Sequence, residues 1–324
     1  MRQVRIIPAA ELQHGLDEAE IIRAVEMGLA DLAEGGISAP LPGLFASEDP
    51  PSDCHIKFAQ SLKLGLTTIK VATGYYRNAE LGVPVNDGLI SVFSAATGQA
   101  LCVIDDRGWL TGIRTGAIGV IASRMGRQGP SDSVGIIGTG DQAFLQASWA
   151  ARHTTDRPIN LFGRSATKTR RLFDRLRQQG VETSIHDSVD ALAASSDIII
   201  CCTSSSAPVL FGRHLRPGHH IVSLGADGPG KAELDIESYR LASSVAVDDL
   251  DQAKRRSDFG AAMNAGAVHE SSVRWFGRCL ADGHSLRRHA TDITVINLCG
   301  SAACDLAVIA CFMGSEAGAR DRLD

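Results

Sequence analysis

An excess of basic charge is missing from this 324-residue sequence: 32 Lys and Arg stand against 37 Asp and Glu, and no basic run exceeds Lys254, Arg255 and Arg256. A formal net charge of −5 and a pI near 6.1 remove the broad attraction that phosphate backbones require, so nucleic acid is not an expected partner. The eight cysteines form no C-x-x-C pair, and there is no H-E-x-x-H, no paired Cys/His pattern, no G-x-S-x-G and no G-x-x-x-x-G-K-[ST]. The common signatures of zinc sites, serine hydrolases and P-loop NTPases are therefore absent, and no metal is expected. The N-terminal stretch MRQVRIIPAAELQ turns polar before an apolar core develops, so no secretory peptide is expected. The longest apolar run, 295–314, contains Asn297 and Asp305. An acid at mid-bilayer depth costs about 3 kcal/mol or more, so this run reads as a buried strand and helix, and no membrane partner is expected. Cys201 and Cys202 sit inside the apolar stretch DIIICCT, as small hydrophobes do in a reducing cytoplasm. No internal repeat or low-complexity tract is visible.

What is present is an ordinary globular composition, 44% hydrophobic and 21% charged, in a chain long enough for two cores. Residues 18–34 place Ile21, Ile22, Val25, Leu29 and Leu32 at helical spacing, with Gly35 and Gly36 as the stop. Between 54 and 105 the stretches HIKFA, TTIKVAT, GLISVFSA and QALCVID, separated by Gly, Asn and Pro turns, predict a mostly antiparallel or mixed sheet. Residues 110–125 read as an apolar helix rich in small residues, leading out of that sheet towards a domain crossing at 126–131. A strict alternation follows: strand 133–137, helix 141–152, strand 159–162, helix 166–179, strand 182–185, helix 188–194, then strands 197–202 and 220–224. Alternating elements of this length predict a parallel, doubly wound α/β sheet of the Rossmann type. The closing segment DITVINLCGSAACDLAVIACFM reads as a strand, a Gly-Ser turn and an apolar helix.

The sequence Val134-Gly-Ile-Ile-Gly138-Thr139-Gly140-Asp141-Gln142-Ala143 sets G-x-G-x-x-A between a predicted strand and helix. Gly138 permits the tight turn, Gly140 lets a pyrophosphate approach the backbone, and Ala143 allows close helix–strand packing, with phosphate at the helix N-terminus. A dinucleotide cofactor is expected. The second strand ends at Arg164 and Ser165, followed by Thr167 and Lys168, where NAD-preferring sites commonly present an acid to the ribose diol. A cation and hydroxyls suit a 2′-phosphate, so NADP(H) is favoured and NAD(H) is the alternative. Equally, Arg164 and Lys168 would solvate a helix start.

Four ordered stretches, Ile69-Lys70-Val71, the LTxxRT of 110–115, the I-G-T-G-x-Q-A of 137–143 and Gly225-Ala-Asp227-Gly-Pro-Gly-Lys-Ala-Glu-Leu234, resemble the ornithine cyclodeaminase/μ-crystallin family. The resemblance implies a homodimer in which residues 1–126 with 301–324 bind substrate and form the subunit interface, while 127–300 bind the nicotinamide cofactor, the active site lying between them. It carries Lys70 over as the lysine near the substrate carboxylate, where a desolvated lysine is also able to shuttle a proton. Arg114 matches the carboxylate-clamping arginine, and Asp227 the catalytic aspartate at the substrate nitrogen; the competing view of Asp227 is an Asx turn before Gly228 and Pro229. Thr115, Thr203 and Gly225 join the expected cofactor set, whereas Lys231 and Glu233 lie on the same motif but are not counted as catalytic, since a helix start accounts for them equally well. Cyclodeaminases of the family usually carry a further arginine before the lysine strand, but no arginine lies between Arg23 and Arg77. Lys57, in a neighbouring strand, supplies that charge instead. The resemblance therefore implies an NAD(P)H-dependent dehydrogenase or reductase at the α-carbon C–N bond of a small amino or imino acid. The alternatives are an ornithine or lysine cyclodeaminase that recycles its cofactor, and a binding protein like μ-crystallin.

Overall fold

Helices and strands pack together in the computed structural model, which describes residues 4–129 and 132–320. The chain divides into two compact units, Met1–Arg114 with Ser301–Asp324, and Thr115–Gly300. In the first unit, β1 (Arg5–Pro8) leads into α1 (Ala9–Gly15) and α2 (Glu18–Ala33), then β2 (Gly43–Glu48), β3 (Pro51–Ser61), β4 (Leu66–Tyr75), β5 (Asn86–Ser94) and β6 (Ala100–Asp105). Asp17 and Glu20 cap α2 reciprocally, which fixes its start at the position the sequence predicts. The sheet order is β1-β6-β5-β4-β3-β2; β1 runs parallel to β6 and the remaining pairs are antiparallel, so the sheet is mixed. Strand side chains alternate between faces. One face buries Lys57, Ala59, Thr68, Lys70, Ile90, Val92, Cys102 and Ile104, and the other leaves Phe58, Ile69 and Leu89 exposed.

The helix predicted over 110–125 is α3 (Trp109–Gly126), and the change of unit falls inside it. That is earlier than the 126–131 crossing expected from sequence, because the first turns of this continuous helix belong with the sheet before it.

The second unit contains β7 (Val134–Ile137), α4 (Asp141–His153), β8 (Ile159–Phe162), α5 (Ala166–Gln178), β9 (Thr183–Ile185), α6 (Val189–Ala194), β10 (Ile198–Cys201) and β11 (His220–Ser223). It continues through α7 (Ile236–Arg240), β12 (Ser244–Val247), α8 (Leu250–Arg256), α9 (Asp258–Asn264), β13 (Arg274–Trp275), α10 (Phe276–Ala281) and β14 (Thr294–Asn297). Its eight strands lie in the order β13-β12-β14-β11-β10-β7-β8-β9 and every pairing is parallel. Strands β7, β10, β11 and β14 are buried along their whole length, as the unbroken Val and Ile runs of a doubly covered parallel sheet demand. From β7 the chain winds one way to β8 and β9 and the other way to β10 and β11. The switch point between β7 and β10 is where a Rossmann-type sheet opens a crevice at its carboxyl edge.

After β14 the chain returns to the first unit as α11 (Ala302–Arg320), which packs on α2, β3 and β4. A Cβ at Gly28 would fall 2.6 Å from the Ala307 side chain, so the glycine lets α2 and α11 touch backbone to backbone. Among the described residues no helix is long and apolar enough to cross a membrane.

Candidate functional site

Two buried lysines on an apolar sheet face need a reason. Lys57 of β3 and Lys70 of β4 are register partners, so their side chains leave the same face of the sheet as neighbours. Lys70 is 2% exposed and Lys57 8%. Taking ammonium groups out of water costs several kcal/mol unless anions meet them. α11 supplies one such anion: Asp305 Oδ1 accepts from Lys70 Nζ at 2.7 Å and from Arg114 Nε at 3.2 Å. Thr111, one helical turn before Arg114 on α3, accepts a second bond from Lys70 Nζ at 2.9 Å. Asp305 Oδ2 is buried with no hydrogen-bond partner among the described residues. Asp106, also buried, accepts from Leu110 N at 3.1 Å and secures the start of α3.

Burial pushes the Lys70 ammonium below its usual range, against the pull of Asp305 and with help from Arg114. Burial also pushes the Asp305 carboxyl up, but Lys70, Arg114 and Lys57 outweigh it and hold the group below the ordinary carboxylate value. Asp106 is raised by burial despite Lys70. The cluster thus gathers three basic side chains around one acid held below the ordinary carboxylate value. The sequence-predicted trio Lys57, Lys70 and Arg114 is brought together, and Asp305 joins it. Sequence reading treated Asp305 only as an interruption of an apolar run; its signal was a lone acid on an otherwise apolar helix.

In the second unit the glycine turn has the form a dinucleotide requires. Gly138 has φ 142°, and a Cβ there would lie 2.7 Å from the Cys202 carbonyl oxygen, so the β7 turn closes against the end of β10 only with glycine. A Cβ on Gly140 meets nothing within 4 Å, which leaves open space beside the start of α4. α4 has Gly140 as N-cap and no side-chain cap, so its first amides suit an anion, and Ala143 is fully buried for close packing. Thr139 packs its methyl group where a Gly163 side chain would stand. Asp141 pairs with Arg175 at 3.1 Å on the surface, and Gln142 accepts weakly from Gln146, whose Nε2 also bonds the Thr115 carbonyl at 2.8 Å. At the end of β8, Arg164, Ser165 and Lys168 are exposed; Ser165 Oγ caps α5 by accepting from Lys168 N at 3.4 Å. These residues fit the diphosphate and ribose ends of a nicotinamide dinucleotide.

Past β11 the GADGPGKAEL segment resolves differently from the sequence expectation. Asp227 Oδ1 accepts from Lys231 Nζ at 2.8 Å, with both side chains partly exposed, and Arg256 donates to the Asp227 carbonyl at 3.3 Å. Glu233 does not begin a helix: it lies at a bend before α7, wholly buried. Its Oε1 accepts from Thr203 N at 2.5 Å and Thr203 Oγ1 at 2.9 Å, and its Oε2 from Ser223 Oγ at 3.0 Å and Gly225 N at 2.8 Å. One carboxyl therefore ties together Thr203 and Gly225, at the carboxyl ends of β10 and β11. Burial pushes Glu233 up to about 7, with those donors opposing it. Gly225 carries no side chain because a Cβ would lie 1.9 Å from the Thr203 carbonyl oxygen.

Comparisons agree with this architecture. A putative dehydrogenase of Rhizobium meliloti is 28% identical over 311 residues, covering 95% of this chain and 94% of that protein. The alanine dehydrogenase of Archaeoglobus fulgidus is 29% identical over 304 residues, covering 94% and 92%. The structure of an archaeal alanine dehydrogenase dimer with bound NAD superposes with a TM-score of 0.87 at 27% identity, over 98% of this chain and 97% of that one. The model of the ornithine cyclodeaminase/mu-crystallin family matches residues 5–315, and the chain belongs to that family.

Proposed function

We propose that this protein is an NAD(P)H-dependent oxidoreductase that forms or oxidises the α-carbon C–N bond of a small amino or imino acid. The observation that carries this reading is the buried cluster of Lys57, Lys70, Arg114 and Asp305, a cationic subsite kept on an apolar sheet face at high desolvation cost. Arg114, Lys57 and Lys70 bind the substrate carboxylate and thereby orient the α-carbon. Asp227, ion-paired with Lys231, takes a proton from the substrate nitrogen during oxidation and returns it to that nitrogen during reduction. The nicotinamide cofactor, when bound at the Gly138–Gly140 turn, would supply the hydride in its reduced form and accept it in its oxidised form.

NADP(H) is the preferred cofactor, because the carboxyl end of β8 presents Arg164 and Lys168 and no acid. The protein acts as a homodimer through the outer face of the first sheet, where Ile6, Phe45, Phe58, Ile69 and Leu89 stand exposed. Among the described residues no disulfide joins the eight cysteines, which suits a reducing cytoplasm.

The test is NAD(P)H absorbance with purified protein offered, in turn, pyruvate plus ammonium, oxaloacetate plus ammonium, and cyclic imino acids. Stoichiometric NAD(P)H oxidation with one of them is the expected result. Ammonia release from ornithine or lysine without net cofactor change replaces this reading by a cyclodeaminase. Tight NADPH binding with no turnover in any assay replaces it by a binding protein.

A further inference from the structure

Lys70 and Arg114 reach the same point from different elements, and like charges brought together out of water repel. What lies between them is a single oxygen: Asp305 Oδ1 is 2.7 Å from Lys70 Nζ and 3.2 Å from Arg114 Nε. The acid comes from the first turn of α11, where the helix dipole favours negative charge. Its other oxygen makes no hydrogen bond among the described residues, so the carboxylate is not spent on holding backbone or capping a helix. We propose that Asp305 is the positioning residue of the carboxylate subsite, holding the Lys70 ammonium and the Arg114 guanidinium on one acceptor and keeping Lys70 charged for an incoming carboxylate.

The proposal rests on the reading of Lys57, Lys70 and Arg114 as the carboxylate subsite. The charged groups that bear on Lys70 are Asp305 from α11, Arg114 from α3, its register partner Lys57 from β3, and Asp106 from the turn before α3. Arg114 and burial both favour the neutral amine, and Asp305 is the strongest influence in the opposite direction. With Asp305 removed, Lys70 is left buried beside other cations, and it sheds its proton at lower pH.

The test is NMR on the full chain carrying lysine labelled with 13C at Cε, the Lys70 signal being the one lost in Lys70→Met. The expected result is a charged Lys70 at neutral pH in the wild type and a midpoint lower by about 1–3 pH units in Asp305→Asn. Asp305→Glu, which keeps the charge on a longer arm, moves it less. A wild-type Lys70 that is already neutral at neutral pH overturns the proposal, as does Asp305→Asn with the wild-type midpoint. Should Asp305→Asn not fold, the wild-type and Asp305→Glu titrations decide the matter: a neutral wild-type lysine, or a Glu variant that moves Lys70 as far as loss of the charge would, overturns it. Pyruvate added to the wild type checks the underlying reading separately. A saturable shift of the Lys70 signal supports a carboxylate subsite; an unmoved signal removes that reading while the pH titration still judges Asp305.

Discussion

Lys57 and Lys70 are direct register partners across β3 and β4, both buried on the face that α11 covers. Such a pair stands against its own repulsion and desolvation, and the proposed carboxylate subsite gives the charge of Lys57 a task that binding measurements test. Lys57→Met is expected to raise KM for the carboxylate substrate about tenfold or more, the worth of a charge-assisted hydrogen bond, with a much smaller change in kcat. Steady-state kinetics with the substrate found by NAD(P)H absorbance measure this. An unchanged KM together with a lower Tm would make Lys57 a packing residue.

Two glycines of the cofactor turn separate folding from binding. Gly138→Ala forces a side chain to φ 142° and to within 2.7 Å of the Cys202 carbonyl, and is expected to cost about 1–3 kcal/mol of stability. Gly140→Ala adds a methyl group to open space at a φ of −86°, and is expected to lower Tm less than Gly138→Ala, by no more than the loss of an N-cap glycine. Its methyl group would occupy the approach of the pyrophosphate, so NADPH affinity should fall about tenfold or more. Thermal melts and NADPH fluorescence titrations on the two variants decide; Gly140→Ala with wild-type affinity would take the pyrophosphate away from this turn.

Those glycines were legible in the sequence because a turn flanked by a strand and a helix is a local signal. The α/β alternation from β7 to β11 was legible for the same reason, since each element announces its own period. Asp305 was not: its partner Lys70 lies 235 residues away, and nothing local to α11 shows which charge it will meet. The role of Glu233 was not legible because its four donors come from Thr203, Ser223 and Gly225, gathered only once β10 and β11 pair. The elements between β11 and β14 escaped notice because strands as short as Ser244–Val247 and Arg274–Trp275 carry too little periodicity to read.

Two adjacent histidines make the second unit acid-sensitive. His219 Nδ1 accepts from the backbone amide of Arg216 at 3.1 Å while its Nε2 donates to the Ala193 carbonyl at 3.1 Å, so the ring is neutral and a second proton displaces a donor. His220 is buried between Thr294 Oγ1 at 2.7 Å and the Ala122 carbonyl at 2.9 Å. Burial pushes each of them down to about 4 from an ordinary 6.5. The unfolded chain then binds protons first, so their contribution is complete above 6.5 and is lost as pH falls from there towards 4. At about pH 5 the loss is about 2 kcal/mol for each histidine. His219→Asn keeps an acceptor for Arg216 without a titrating ring, and should narrow the Tm difference between about pH 7.5 and about pH 5. An identical difference in the variant would assign the acid sensitivity elsewhere.

The outer face of the first sheet carries the last expectation. Phe58 and Ile69 are register partners, Ile69 pairs on its other side with Ser91, and Leu89 sits opposite Val71, so the exposed apolar side chains form a continuous band across β3, β4 and β5. Phe58, Ile69 and Leu89 are 37%, 38% and 44% exposed, more than a sheet centre leaves to water without cost. A second copy of the same band is a self-complementary cover for it. Sedimentation equilibrium should give a species of twice 34.3 kDa for the wild type, and Phe58→Glu with Ile69→Lys should give the monomer with the far-ultraviolet spectrum preserved. A wild type that sediments as a monomer at micromolar concentration refutes the dimer, and a double variant that stays dimeric moves the interface off this face.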